Sequence, residues 1–288
     1  MKKIIVLGAA GMAGHMISLY LKTINNYHVI DVCHTYKPYP NSIILDIRDL
    51  SKVENLINIE KPDIIINCIG ILNKGINKKI PDAIFINSYF PKWLERICIS
   101  ESTKIIHIST DCVFSGKTGR YTETDMPDGS DFYARTKALG EIINEKDLTI
   151  RTSIIGPELK QEGIGLFHWF LKQKGEISGY SNVYWTGVTT LQLAINIDTM
   201  IRLDLSGLYH LVPSAPINKY ELLCIIREVF CKEISINRNF DVKCNRTLVD
   251  TRNELPEGVP GYEEMICQLK NWMKKNHKLY DSIYSNRK

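Results

Sequence analysis

Lys3-Ile4-Ile5-Val6-Leu7-Gly8-Ala9-Ala10-Gly11-Met12-Ala13-Gly14 opens the chain and decides how the rest is read. Its four consecutive apolar residues show no polar alternation, which suits a strand covered on both faces. Gly8 ends the run, and residues 12–23 then repeat apolar positions with a helical period. Strand, glycine turn and helix, in that order, form the context of a nucleotide-binding turn. Gly8 makes the tight turn, Gly11 lets the backbone approach a pyrophosphate, and Gly14 allows the helix to pack closely on the strand. The helix N-terminus then faces the phosphates. The spacing is G-x-x-G-x-x-G, one residue longer at its start than the commoner G-x-G-x-x-G.

The same alternation continues outward. Short β-branched runs at Lys3–Leu7, His28–Val32, Ser42–Leu45, Asp63–Cys68, Thr103–Ile108 and Leu148–Thr152 read as buried parallel strands. Between them Met12–Thr23, Ser51–Ile59, Pro81–Ser100 and Phe132–Asn144 read as helices. This pattern predicts an α/β fold: a doubly wound, Rossmann-like parallel sheet over residues 1–155. After Gly156 the periodicity weakens, although Leu191–Leu203 and Asn218–Phe230 still read as helices and Leu208–Val212 as a return to the sheet. Residues 156–288 are therefore expected to form mainly a smaller, partly discontinuous C-terminal substrate lobe over the carboxyl edge of the sheet, where doubly wound folds bind ligands. His168, Trp169 and Trp185 lie in apolar runs and are expected to pack.

With 288 residues, 44% hydrophobic and 24% charged, the chain is of ordinary globular composition, not disordered or a disulfide scaffold. The net charge is +4, and from Gly261 onward six Lys/Arg stand against three acids, so the body is nearly neutral. That distribution lacks the basic stripe of a nucleic-acid binder. Eight cysteines without a C-x-x-C pair read as reduced, buried small hydrophobes, and no metal is expected. The apolar start is too short for a signal peptide and no run matches a membrane span. A cytoplasmic location is expected, with neither nucleic acid nor membrane as partner.

At the end of the second strand an acid would favour NAD, and a base would favour the extra phosphate of NADP. Asp31 lies inside the strand, whereas His34 and Lys37 lie at and beyond its end, which points to NADPH, with NADH as the alternative. Asp46 is placed to meet the adenine, or else Asp46-x-x-Asp49 caps the next helix.

Tyr133 and Lys137 form Y-x-x-x-K at the start of a helix, one turn apart on one face. A lysine ammonium beside a phenol is expected to pull the tyrosine down toward neutral pH, making it a usable acid–base group. Ser109-Thr110-Asp111 ends the fifth strand at the same sheet edge. A hydroxyl there can bond a substrate carbonyl while Tyr133 delivers a proton and a nicotinamide delivers hydride.

Together these residues resemble the extended short-chain dehydrogenase/reductase superfamily, and within it the dTDP-4-dehydrorhamnose reductase-like group. The resemblance extends to Ile66-Asn67-Cys68-Ile69-Gly70, Ile86-Asn87, Ser109 to Gly116, Tyr133 to Lys137 with Gly140-Glu141, and Arg151-Thr152-Ser153. It implies reduction of the 4-keto group of a nucleotide-linked 6-deoxyhexose, with Thr110, Tyr133 and Lys137 as the catalytic set. Gly8, Gly11, Met12, His34, Lys37, Asp46, Ile47, Cys68, Gly70, Asn87, Ser109, Tyr133 and Lys137 would meet the cofactor. Ile71, Leu72, Asn73, Thr110, Asp111 and Ile154 would meet the nucleotide-sugar substrate. The group's aromatic after Thr-Asp is here Cys112, and its Trp after Arg-Thr-Ser is Ile154, so the sugar is not fixed; Cys112 in place of Glu also argues against a dehydratase. An epimerase of the same superfamily, and a non-catalytic NADP-binding regulatory subunit like the β subunit of methionine adenosyltransferase, stay open. The resemblance also allows a homodimer.

Overall fold

The structure is a computed structural model describing residues 1–72, Ile76 and residues 79–284. Seven parallel strands form its central sheet: β1 (Lys2–Leu7), β2 (Tyr27–Cys33), β3 (Ile43–Ile44), β4 (Ile64–Asn67), β5 (Lys104–Ile108), β6 (Leu148–Arg151) and β11 (Gly207–His210). Their spatial order is β11-β6-β5-β4-β1-β2-β3. The order reverses beside β1, whose neighbours are β2 and β4, and this reversal opens a crevice at the carboxyl ends of the strands.

Every residue of the Ile4–Leu7 run is buried, because successive side chains serve opposite layers. Ile4 and Val6 join Ile64, Ile66 and Leu148 under α1 (Met12–Leu21), while Ile5 and Leu7 join Ile65 and Ile105 on the opposite side, above α2 (Leu50–Glu60). The missing polar alternation in the sequence is thus the signature of a sheet with helices on both faces. Asp49 caps α2 by accepting from the Lys52 amide at 3.2 Å, so of the two acids Asp49 is the cap.

Residues 81–100 do not make one helix. α3 (Ile80–Ile84) runs into a π-helical turn at Phe85–Tyr89 before α4 (Phe90–Ile97) resumes. The wider turn presents the Asn87 carbonyl to Gly140, where an added Cβ would lie 1.9 Å from that oxygen. The next helix, α5 (Phe132–Leu139), ends there rather than at Asn144.

Beyond β6 lie β7 (Ile154–Ile155), α6 (Leu166–Lys172), β8 (Gly175–Tyr180), β9 (Val183–Trp185), β10 (Val188–Thr189) and α7 (Thr190–Arg202). The chain then returns to the sheet as β11 before β12 (Ile217–Asn218), α8 (Lys219–Val229), β13 (Ile234–Asn239), β14 (Cys244–Asn245), α9 (Tyr262–Lys275) and α10 (His277–Tyr284). α7 packs beside α1 through the core shared with Leu193, Ala194 and Ile197, so these later elements also cover the sheet. His168 and Trp185 are buried as expected, but Trp169 is 39% exposed, because it faces outward on the short α6. Cys231 and Cys267 are likewise exposed, unlike Cys33 and Cys98, and all eight cysteines are free. Among the described residues no helix is long and apolar enough to cross a membrane.

The strand ends are locked by one buried ion pair. Arg151, the last residue of β6, donates from Nε and Nη2 to the two Glu141 oxygens at 2.8 and 2.7 Å, and both side chains are 2% exposed. Removing the charge of one partner leaves the other buried and uncompensated. Glu141→Gln is expected to destabilise folding by about 3 kcal/mol, read as a lower denaturation midpoint, whereas Glu228→Gln, at an exposed Arg227 pair, changes it little.

Candidate active site

The glycine turn forms as its sequence requires. Gly8 adopts φ +81°, and its amide and that of Ala9 donate to the Val32 carbonyl at 2.9 and 3.0 Å, joining the turn to β2. An added Cβ on Gly14 would stand 2.2 Å from the Gly8 carbonyl oxygen, so no side chain fits there. Gly11 precedes α1 without a side-chain cap, which leaves the first-turn N–H groups for a ligand. From below, His15 Nδ1–H donates to the Gly11 carbonyl at 2.9 Å and Nε2 accepts from Tyr280 at 3.2 Å, so α10 braces the turn. Nothing in the glycine spacing announced that brace.

A cleft of about 480 Å³ opens from this turn across the ends of β1, β2 and β4. Of the expected cofactor residues, Gly8, Gly11, His34, Asp46, Ile47, Cys68 and Gly70 line it, as does Ile71. Met12 does not line it; its sulfur lies near Gly165, where an added Cβ would come within 3.2 Å. Lys37 is exposed on the turn after β2 and does not line the cleft. Arg48 and Lys160 do, although sequence reading passed over both. Arg48 grips both oxygens of Asp46 at 2.6–3.0 Å, and His34 lies 3.4 Å from the same carboxylate. The guanidinium therefore holds the Asp46 carboxyl well below the usual carboxylate range. Asp31 is buried and bound to Ser18 and Lys22, so it does not serve the cleft.

Two expected cofactor residues spend their side chains elsewhere. Asn87, fully buried, accepts from the Ile71 amide at 2.8 Å and donates to the Ile71 carbonyl at 3.0 Å and to Thr136 at 3.2 Å. It shapes the loop after β4 instead of facing the cleft. Ser109 donates to Glu141 at 2.7 Å. Leu72 is exposed, Asn73 lies outside the described residues, and Ile154 pairs in β7 with Val188 of β10.

Beyond Cys68 the cleft meets the second cluster. Tyr133 and Lys137 are both buried on α5, and Tyr133 packs with Ile71, Ile76, Ala83 and Cys112. The Thr110 hydroxyl lies within reach of the Tyr133 phenol, donates to Asp111 at 3.1 Å and accepts from the Cys112 amide at 3.1 Å. Lys137 donates to the Ile108 carbonyl at 2.8 Å and lies 3.3 Å from His107. Burial pushes its ammonium down to about 8, against the opposing pull of Glu141. Burial also pushes the Tyr133 phenol up, above its ordinary value, rather than down as the neighbouring lysine suggested. Lys137 donates to the Ile108 carbonyl, and desolvation of the phenolate dominates at Tyr133.

Two cations from distant segments complete this side. Asp111 is buried and its carboxyl is raised by desolvation, with Lys219 and Arg246 opposing. Arg246 donates to the Phe114 carbonyl at 3.0 Å and stands 3.7 Å from the Cys112 sulfur, while Lys219 lies 4.4 Å over the Trp185 ring. The Cys112 thiol is pushed up to about 12, chiefly by burial, which leaves it no nucleophile.

This arrangement can bind a dinucleotide along the cleft and protonate a group held between Thr110 and Tyr133. Comparison with known proteins agrees with that class. The family described as RmlD substrate binding domain matches residues 1–237, and the chain belongs to that family. A dTDP-4-keto-6-deoxy-D-glucose reductase from Streptomyces niveus is 26% identical over 76% of this chain and 75% of its own length. Methionine adenosyltransferase 2 subunit beta from Xenopus tropicalis is 23% identical over 80% of this chain and 72% of its own. A crystal structure of dTDP-4-dehydrorhamnose reductase from Bacillus anthracis in complex with NADP shares the fold, with a TM-score of 0.80 at 20% identity over 94% of this chain and 99% of that one.

Proposed function

We propose that the protein is an NAD(P)H-dependent oxidoreductase that reduces the 4-keto group of a nucleotide-linked 6-deoxyhexose. The observation that carries this reading is the meeting of Thr110, Tyr133 and Lys137 beside a cleft that begins at an uncapped glycine turn. The reductase relatives support the substrate class. The cleft fits a dinucleotide, because the Gly8–Gly14 contact leaves no room for a side chain and the first-turn amides of α1 are open to phosphate. His34, just past β2, and Arg48, in the loop between β3 and α2, line the cleft together and suit the extra phosphate of NADPH, with NADH as the alternative. When bound, the nicotinamide supplies the hydride.

The chain's own groups supply the rest. The Thr110 hydroxyl, turned from Asp111, would hold the carbonyl, and Tyr133, kept protonated by burial, donates to the oxygen as negative charge develops there. Lys137, fixed by the Ile108 carbonyl, holds a proton close to Tyr133. Asp111, Arg246 and Lys219 border the side where the sugar nucleotide would enter. Residues 1–155 would serve chiefly the cofactor, and the later segments mainly the substrate, apart from β11, α7 and α10, which return to the sheet or brace the glycine turn.

The deciding experiment follows NADPH and NADH oxidation against 4-keto-6-deoxy sugars carried on dTDP, UDP and GDP. Oxidation of one of them is the expected result. Dinucleotide binding with no oxidation on any sugar would instead favour a binding subunit, as the likeness to methionine adenosyltransferase 2 subunit beta suggests. Tyr133→Phe is expected to lower kcat about 10²- to 10⁴-fold with the NADPH dissociation constant retained. Arg48→Ala is expected to raise KM for NADPH roughly tenfold or more while leaving KM for NADH nearly unchanged. The rate should fall as pH rises through about 8, because the active form of Lys137 is the ammonium and burial has brought its loss down to that range; a rate that stays flat to about pH 10, the ordinary lysine range, would contradict it.

A further inference from the structure

Behind the site, His107 on β5 is completely buried between two nitrogens. Its Nδ1 lies 3.2 Å from Asn67 Nδ2 and its Nε2 lies 3.3 Å from Lys137 Nζ. The orientation of the Asn67 amide is set by its other end. The Ile69 N–H, which can only donate, points at Asn67 Oδ1 from 3.1 Å, so the NH₂ group faces the ring. An NH₂ group also only donates, and His107 Nδ1 must therefore be the bare acceptor. Burial, reinforced by the charges of Lys137 and of Lys92 on α4, keeps the ring neutral, and its one proton then sits on Nε2.

That proton points at Lys137. An ammonium has no lone pair, so two donors confront each other whenever Lys137 is charged, and the contact becomes a hydrogen bond only when Lys137 is the neutral amine. We infer that His107 is a positioning residue whose Nε2–H favours the neutral amine of Lys137 and so makes its ammonium a readier proton source for Tyr133. This rests on the proposed reduction for its purpose but not for its geometry. Other groups act on the same lysine. The Ile108 carbonyl and Glu141 favour the charged form, Cys68 faces it from the loop after β4 with its thiol pushed up to about 12 by burial, and Tyr133 lies one turn away on α5. His107 opposes the first two from the strand side.

The test needs no turnover. In protein labelled with ¹⁵N-histidine, the His107 ring, assigned through its loss in His107→Gln, is expected to stay neutral with its proton on Nε2 from about pH 6 to about pH 9; a proton on Nδ1 would overturn the inference. Following the Lys137 side-chain ¹³Cε shift against pH, His107→Phe is expected to raise the lysine's midpoint by about one unit, a tenfold change in its proton affinity, and an unmoved midpoint would equally overturn it. Should that variant not fold, Asn67→Asp tests the same arrangement. Its carboxylate would accept from Nδ1, move the ring proton there and turn Nε2 into an acceptor for the ammonium, whereas a ring still protonated on Nε2 would refute the proposal. If no nucleotide sugar is reduced but these signals behave as described, the proposed function fails while the proton arrangement stands.

Discussion

The Glu141 carboxylate holds the active edge of the molecule together. It sits just past the end of α5, accepts two bonds from Arg151 at the end of β6, and accepts a third from Ser109 at the end of β5. Two neighbouring strands and the helix carrying Tyr133 and Lys137 are thus tied to one buried charge. Gly140, immediately before it, lets the helix end against the π-helical turn, which in turn directs Asn87 onto the Ile71 loop. The approach of Thr110 to Tyr133 follows from these ties, since Thr110 directly follows Ser109 and Tyr133 lies on the helix whose end holds Glu141.

Much of this was legible beforehand, for reasons that differ by element. The Ile4–Leu7 and Ile64–Ile66 runs announce a two-faced sheet because every position must be apolar when both faces are covered. Gly8 and Gly14 are legible because a positive φ and a close backbone approach admit almost nothing else. The Y-x-x-x-K spacing shows that Tyr133 and Lys137 share a helix face, but not what either side chain bonds. Hence the spacing cannot give the direction of the tyrosine's shift, which burial of the phenol sets upward. The π-helical turn has no sequence period of its own, so Pro81–Ser100 read as one helix. Arg48, Lys219 and Arg246 look like ordinary surface charges in the sequence, and only the folded chain brings the last two to Asp111.

The electrostatics follow from the same geometry. On the proposed reading, a body with little net charge would meet anionic ligands through amides at the start of α1 and a few side chains whose charge is already engaged, such as Arg48 on Asp46. Engaged charges are held in place before a ligand arrives, which lowers the ordering cost of binding. Around the reacting groups the chain excludes water instead. Desolvation moves the Tyr133 phenol, the Cys112 thiol and the Asp111 carboxyl toward their neutral forms, and it pulls the Lys137 and Lys219 ammonium groups the same way, to about 8.

The strand β11 has a consequence for how the protein is made. It pairs with β6, yet residues 152–206 separate the two in the chain. During synthesis, at about 5–20 residues per second, β6 stands as an open edge for roughly 3–12 s before its partner leaves the ribosome. An unpaired apolar strand edge is a template for association with other chains. Truncation between Arg151 and Gly207 would leave that edge permanently bare, so the glycine-turn half of this molecule does not detach cleanly from the C-terminal half.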